Sequence, residues 1–112
     1  MCSYQKLYYH ENIGYVFRCV HCKCLQLAFG NVLLTFEESM LGDFMQVLDM
    51  HEQSYRNMPD EGVRQIRIPL PFEGMALLLS KSELRQLIHM TDGADTELRV
   101  LALMETFGDL KI

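Results

Sequence analysis

No stretch of this chain is apolar for long enough to span a bilayer. The start, Met-Cys-Ser-Tyr-Gln-Lys, lacks the apolar segment of a secretory leader. A cytoplasmic protein with no membrane partner is the expectation. Basic residues are scarce, ten against fifteen acids, for a formal charge of −5. General nucleic-acid and anionic-membrane binders need a basic face, so both classes are disfavoured. The scarcity is uneven. Residues 1–36 hold Lys6, Arg18 and Lys23 against Glu11, so the excess of acid lies beyond them. Catalytic signatures are missing too. Gly30, Gly42 and Gly62 are isolated, which excludes a phosphate-cradling loop. Neither G-x-S-x-G nor H-E-x-x-H occurs. Asp92 to Glu97 lacks the ligand spacing of a calcium loop. His51 and His89 fall at the ends of apolar helical stretches, where a histidine serves the helix dipole or the surface. No catalytic constellation is recognised, and an enzyme is not expected.

What is present suits a packed domain. The 112 residues are 49% hydrophobic and 22% charged, which reads as one domain, 1–112, with its own core. The eight methionines are flexible core filler or a surface that receives partners.

The chain opens as a hairpin. Residues 4–10 are β-prone, 11–14 form a turn, and 15–18 lead out to a cysteine knuckle that closes the segment at residue 24. A second hairpin, 25–29 and 32–36, turns at Gly30-Asn31. A helix from about Glu38 to Tyr55 carries Leu41, Phe44, Met45, Leu48 and Tyr55 on one stripe. Residues 56–62 are a loop. An ungapped shift of 43 then superimposes Leu25 on Ile68, Leu27 on Leu70, Leu34 on Leu77, Leu41 on Leu84 and Phe44 on Leu87. A duplicated β-hairpin–helix unit, 25–55 and 63–93, is the expectation. Pro69 and Pro71 demote the first arm of the second unit to an edge or a bulge. Ser80 and Glu83 form a capping box, and Asp92-Gly93 ends the helix. A separate last helix, 95–107, turns Leu98, Leu101 and Met104 inward. The fold expected is α+β. One antiparallel sheet of two hairpins carries helices on one face, and the N-terminal hairpin is an appendage or a sheet extension.

Chemistry concentrates in Cys19-Val-His-Cys22-Lys-Cys24, with Cys2 at the chain start. Three readings compete. In the first, two thiolates of the C-x2-C step converge on zinc from a tight turn. With the first hairpin turning near residues 12–13, Cys22 falls opposite Ser3 and close to Cys2, while His10 lies at the far end. Cys2, Cys19 and Cys22 are then ligands, completed by Cys24 or His21. One knuckle is present where a complete ribbon has two. In the second, the thiols are redox groups. A strand follows the cysteines, whereas a reactive C-x-x-C sits at a helix N-terminus. In the third, the thiols are plain core or surface residues of a reduced protein.

The run Cys19-x2-Cys22-x3-Gln26-Leu27-Ala28-Phe29-Gly30-Asn31, with Leu33-Leu34 after it, resembles a group of short uncharacterised bacterial proteins that carry a domain-of-unknown-function label. The resemblance covers residues 15–36. It implies a bacterial cytoplasmic protein and brings no activity. It pairs Cys19 with Cys22 and includes neither Cys2 nor Cys24.

These observations point to a non-enzymatic binding or adaptor domain with a zinc ion at Cys2, Cys19, Cys22 and Cys24. A protein or a second copy of the chain is its expected partner. A thiol enzyme or sensor using Cys22 or Cys24 is the alternative. Single-stranded RNA binding through Lys6, Arg18, Lys23, Tyr4, Tyr8, Tyr9 and Tyr15 is a further one, against the net charge.

Overall fold

Strict alternation builds the first sheet. In the computed structural model, which describes residues 3–109, strand β3 (Cys24–Phe29) buries Leu25, Leu27 and Phe29 and half-buries the residues between them. Its neighbours are β2 (Gly14–Cys19) and β4 (Val32–Glu37), and β1 (Tyr4–His10) lies outside β2. All four run antiparallel in the order β1-β2-β3-β4. Directly opposed residues share a face, so Val16, Leu27 and Leu34 form one buried row and Arg18, Leu25 and Phe36 another. The N-terminal hairpin is thus an extension of the sheet.

A 3₁₀ turn at Glu38–Met40 leads into helix α1 (Leu41–Tyr55). Leu41, Phe44 and Leu48 are buried, and Met45 and Tyr55 pack beside them, as the stripe anticipates. Strands β5 (Ile66–Pro69) and β6 (Ala76–Leu79) follow, then helix α2 (Lys81–Asp109). The protein is α+β: a four-stranded sheet, a two-stranded sheet and two helices.

Three expectations change. First, β5 and β6 pair only with each other among the described residues and do not join β1–β4. The shift of 43 requires Leu70 opposite Leu77, as Leu27 is opposite Leu34. Instead Ile68 faces Leu77, a slide of two residues. A two-residue slide keeps every side chain on its face, and it buries Ile66 and Ile68 while Phe72 is exposed. Pro71, lacking an N–H, falls outside the ladder.

Second, α2 does not end at Asp92-Gly93. It runs unbroken through Gly93, where a Cβ would stand 2.9 Å from Tyr8 Cδ2. The glycine serves close packing of helix on strand, so no separate helix 95–107 forms. Third, Leu98 and Leu101 pack against the core, but Met104 faces solvent.

The capping box is present. Ser80 N–H donates to Glu83 Oε1 at 2.9 Å, and Glu83 N–H donates to Ser80 Oγ at 3.2 Å. At the start of β2, Gly14 has φ +149°, and a Cβ there would overlap the Ala28 carbonyl oxygen. Only glycine lets β2 begin so close to β3.

Candidate functional site

The cysteines sit on the turn joining β2 to β3. Lys23 takes φ +60° and its N–H donates to the Cys19 carbonyl at 3.1 Å, which folds residues 20–23 tightly. The Lys23 carbonyl in turn accepts from Glu38 N–H at 3.0 Å, tying the turn to the end of β4. Cys19 is buried, Cys24 half-buried and Cys22 exposed. Cys24 Sγ lies 3.8 Å from the Cys22 carbonyl oxygen, to which its S–H donates. The Cys22 side chain above all pushes the Cys24 thiol above its ordinary pKa. Burial and the charges of Cys22, Glu37 and Cys19 act in the same direction.

The register of this end differs from the expected one. The turn of the first hairpin pairs His10 with Gly14, and the pairing slips at Leu7, so Tyr4 faces Cys19. The Ser3 carbonyl accepts from Val20 N–H at 3.0 Å, and Ser3 is therefore beside Val20 and not opposite Cys22. The extra residue of the bulge was invisible in the alternation of an aromatic strand. Cys2 lies outside the described residues. Among those described, no group of three His, Cys, Asp or Glu side chains is placed to hold a metal ion.

Beside the turn lies a cleft of about 610 Å³ whose lining includes Arg18, Cys22, Cys24, Glu37, Glu38 and Asp95. Arg18 anchors it from the core face of β2. Its Nε donates to Glu38 Oε2 at 2.8 Å and its Nη1 to Gln5 Oε1 at 3.1 Å. Its side chain is 9% exposed, so this guanidinium is structural. It does not join Lys6, Tyr9 and Tyr15, which lie on the opposite, open face with Phe17. There Tyr15 and Phe17 stack at 4.4 Å, and Lys6 Nζ is 5.9 Å from the Tyr9 ring centre. Tyr8 turns to α2, edge-on to His89. The tyrosines and cations grouped for RNA are thus split between two faces.

The second concavity was not foreseen. An apolar groove of about 340 Å³ lies between Leu34 and Phe36 of β4, α1 at Phe44 and Val47, and the Leu70–Phe72 segment. Asp43 is the charged residue in its lining. It exists because β5 ends at Pro69 and the next residues form a wall instead of a strand. Pro69 and Pro71 were the available signal.

The edges of the first sheet differ. β1 carries a bulge at Leu7 and a lysine in mid-strand, both devices that discourage pairing with another strand. β4, Val-Leu-Leu-Thr-Phe-Glu, pairs with β3 without a break in register and has neither proline nor lysine. Leu34 and Phe36 on its core face line the groove.

No helix of the described residues is long and apolar enough to cross a membrane. No curated protein and no solved structure matches the chain. The model of DUF6686, a family of unknown function, matches residues 1–107, and the chain belongs to that family.

Proposed function

We propose that the protein is a non-enzymatic binding domain that takes up an extended segment of another protein along β4. The observation that carries this reading is the undefended β4 edge beside an apolar groove. Strand addition supplies main-chain hydrogen bonds, and a pocket beside the edge selects alternate side chains. The groove admits one bulky apolar residue. Asp43 in its wall and Glu37 at the strand end favour Lys or Arg next to that residue. The occupant is therefore an extended, basic and apolar segment.

The test is an amide-shift titration of the ¹⁵N-labelled protein with a capped peptide of alternating Leu and Lys. Shifts confined to β4, Phe44 and Val47, lost on methylating alternate peptide nitrogens and weakened by a Leu-Glu analogue, support the reading. Shifts elsewhere, or none, sink it. A Val47→Arg variant blocks the groove and should bind no peptide.

A second reading concerns the thiols. Cys19, Cys22 and Cys24 stand on one short turn, and the C-x2-C step has the spacing of a soft-metal ligand pair. We infer a structural zinc ion that would draw Cys19, Cys22 and Cys24 together from an arrangement that does not itself form a site, with Cys2 as the fourth ligand. Metal content of protein purified without chelator or histidine tag tests it. One zinc per chain, lost with thermal stability in a Cys19→Ser, Cys22→Ser variant, is the result expected. Absence of metal from the native chain overturns it.

A further inference from the structure

Beyond Leu101, α2 leaves the body. The molecule measures 55 × 28 × 26 Å, drawn out along one axis. Leu98 and Leu101 still pack on the core. Val100, Leu103, Met104 and Phe107 are 41%, 56%, 62% and 67% exposed. Steps of three, one and three residues place these four on one side of the helix. Of the charged side chains, Glu97 borders the stripe one turn before Val100. Arg99 bonds Asp95 one turn back at 3.1 Å, and Glu105 lies on the other side of the helix. Two turns of helix are marginal in water without a packed face.

We propose that a second copy of the chain covers this stripe, the two α2 ends packing antiparallel about a two-fold axis between Leu103 and Met104. Three features select a second copy over another partner. The stripe is complementary to itself in size: the axis sets small Val100 against the second copy's Phe107, and Leu103 against its Met104. Small then meets large at both ends of the seam, with Leu103 and Met104 of near-equal size between them. The last turn of α2 has no basic residue to offset its negative carbonyl end. Antiparallel overlap brings the second copy's Arg99 to that end. An isologous contact also closes on itself and stops at two copies. Four partly exposed side chains per copy supply roughly half of the ~800 Å² that each partner gives to a standard interface. Association is therefore weak and governed by concentration.

Sedimentation equilibrium of the full chain over a wide concentration range tests the proposal. The weight-average mass should rise from 13.0 kDa towards twice that value. Leu103→Lys, at an exposed site, should leave the circular dichroism unchanged and weaken association at least about tenfold. Val100→Phe alone sets Phe against Phe and should also weaken it, while Val100→Phe combined with Phe107→Val should restore it. A single 13.0 kDa species at the highest concentration overturns the proposal. So does a dimer that survives Leu103→Lys, and a dimer lost only on Leu33→Lys would place self-association on β4 instead.

Discussion

Gly93 of α2 lies against the ring of Tyr8 from β1, so close that a Cβ would come within 2.9 Å of Cδ2 and 3.4 Å of Cε2. Two opposing terms follow. A mid-helix glycine costs about 1 kcal/mol relative to alanine, and a methyl group here pushes on an aromatic ring held by the core. Gly93→Leu should lose about 1–3 kcal/mol through overpacking. Gly93→Ala should gain about 1 kcal/mol only once Tyr8→Ala has made room. Urea unfolding of the two single variants and the double variant measures this coupling, and additive effects would refute it.

Arg18 and Glu38 make a second unequal pair. Arg18 is nearly buried and Glu38 about a third exposed. Removing the carboxylate leaves a desolvated guanidinium held, among the described residues, by Gln5, so Glu38→Ala should cost about 2 kcal/mol. Arg18→Met removes the charge itself and keeps the packing of the stem, so it should cost less. Denaturant midpoints in the reverse order would show that the ion pair, not the buried charge, dominates.

Glu83 gives stability a pH dependence. Arg64 donates to it from Nε and Nη2, and the Ser80 N–H adds a third bond. Arg64 first, then Ser80, holds the carboxyl down from an ordinary 4.5 to about 2, against the opposing effect of burial. A depressed folded pKa means that the contribution is complete above about 4.5 and is lost as pH falls towards 2. Arg64 is largely exposed, so solvent screening limits it to about 1 kcal/mol. Stability measured between pH 6 and 2 should fall less steeply in Glu83→Gln than in the native chain.

Cys24 should alkylate more slowly than a free cysteine near pH 8, because its neighbours suppress the thiolate. Cys22→Ser removes the largest cause, so the Cys24 rate should rise. Mass-resolved labelling with iodoacetamide reads both thiols in the same sample. A Cys24 rate above that of glutathione would favour the redox alternative.

The sequence exposed those elements whose signal is local. The alternation of Leu25, Leu27 and Phe29, the Gly30-Asn31 turn and the Ser80–Glu83 box each depend on residues a few positions apart, and each is found where expected. What it hid depends on contacts distant in the chain. Gly93 reads as a helix stop until Tyr8 is placed against it. The slide of β5 by two residues preserves the apolar pattern and leaves no trace in periodicity. The bulge at Leu7 sits in a strand with aromatics on both faces, which blurs the alternation that would reveal it. The groove at β4 follows from that slide and from Pro71, and of these only the prolines are visible in the sequence. Among the cysteines, nearness of Cys19, Cys22 and Cys24 was evident from spacing, whereas the hairpin register beside them was not.

The unbroken course of α2 gives position 93 leverage. The helix bears on the sheet at Gly93 and continues to Gly108, roughly 22 Å further at 1.5 Å per residue. A tilt of about 5° at that fulcrum would swing the far end by about 2 Å. Side-chain volume at position 93 thus steers the tip without touching it, and a substitution there could redirect the stripe from Val100 to Phe107 while the sheet stays as it is.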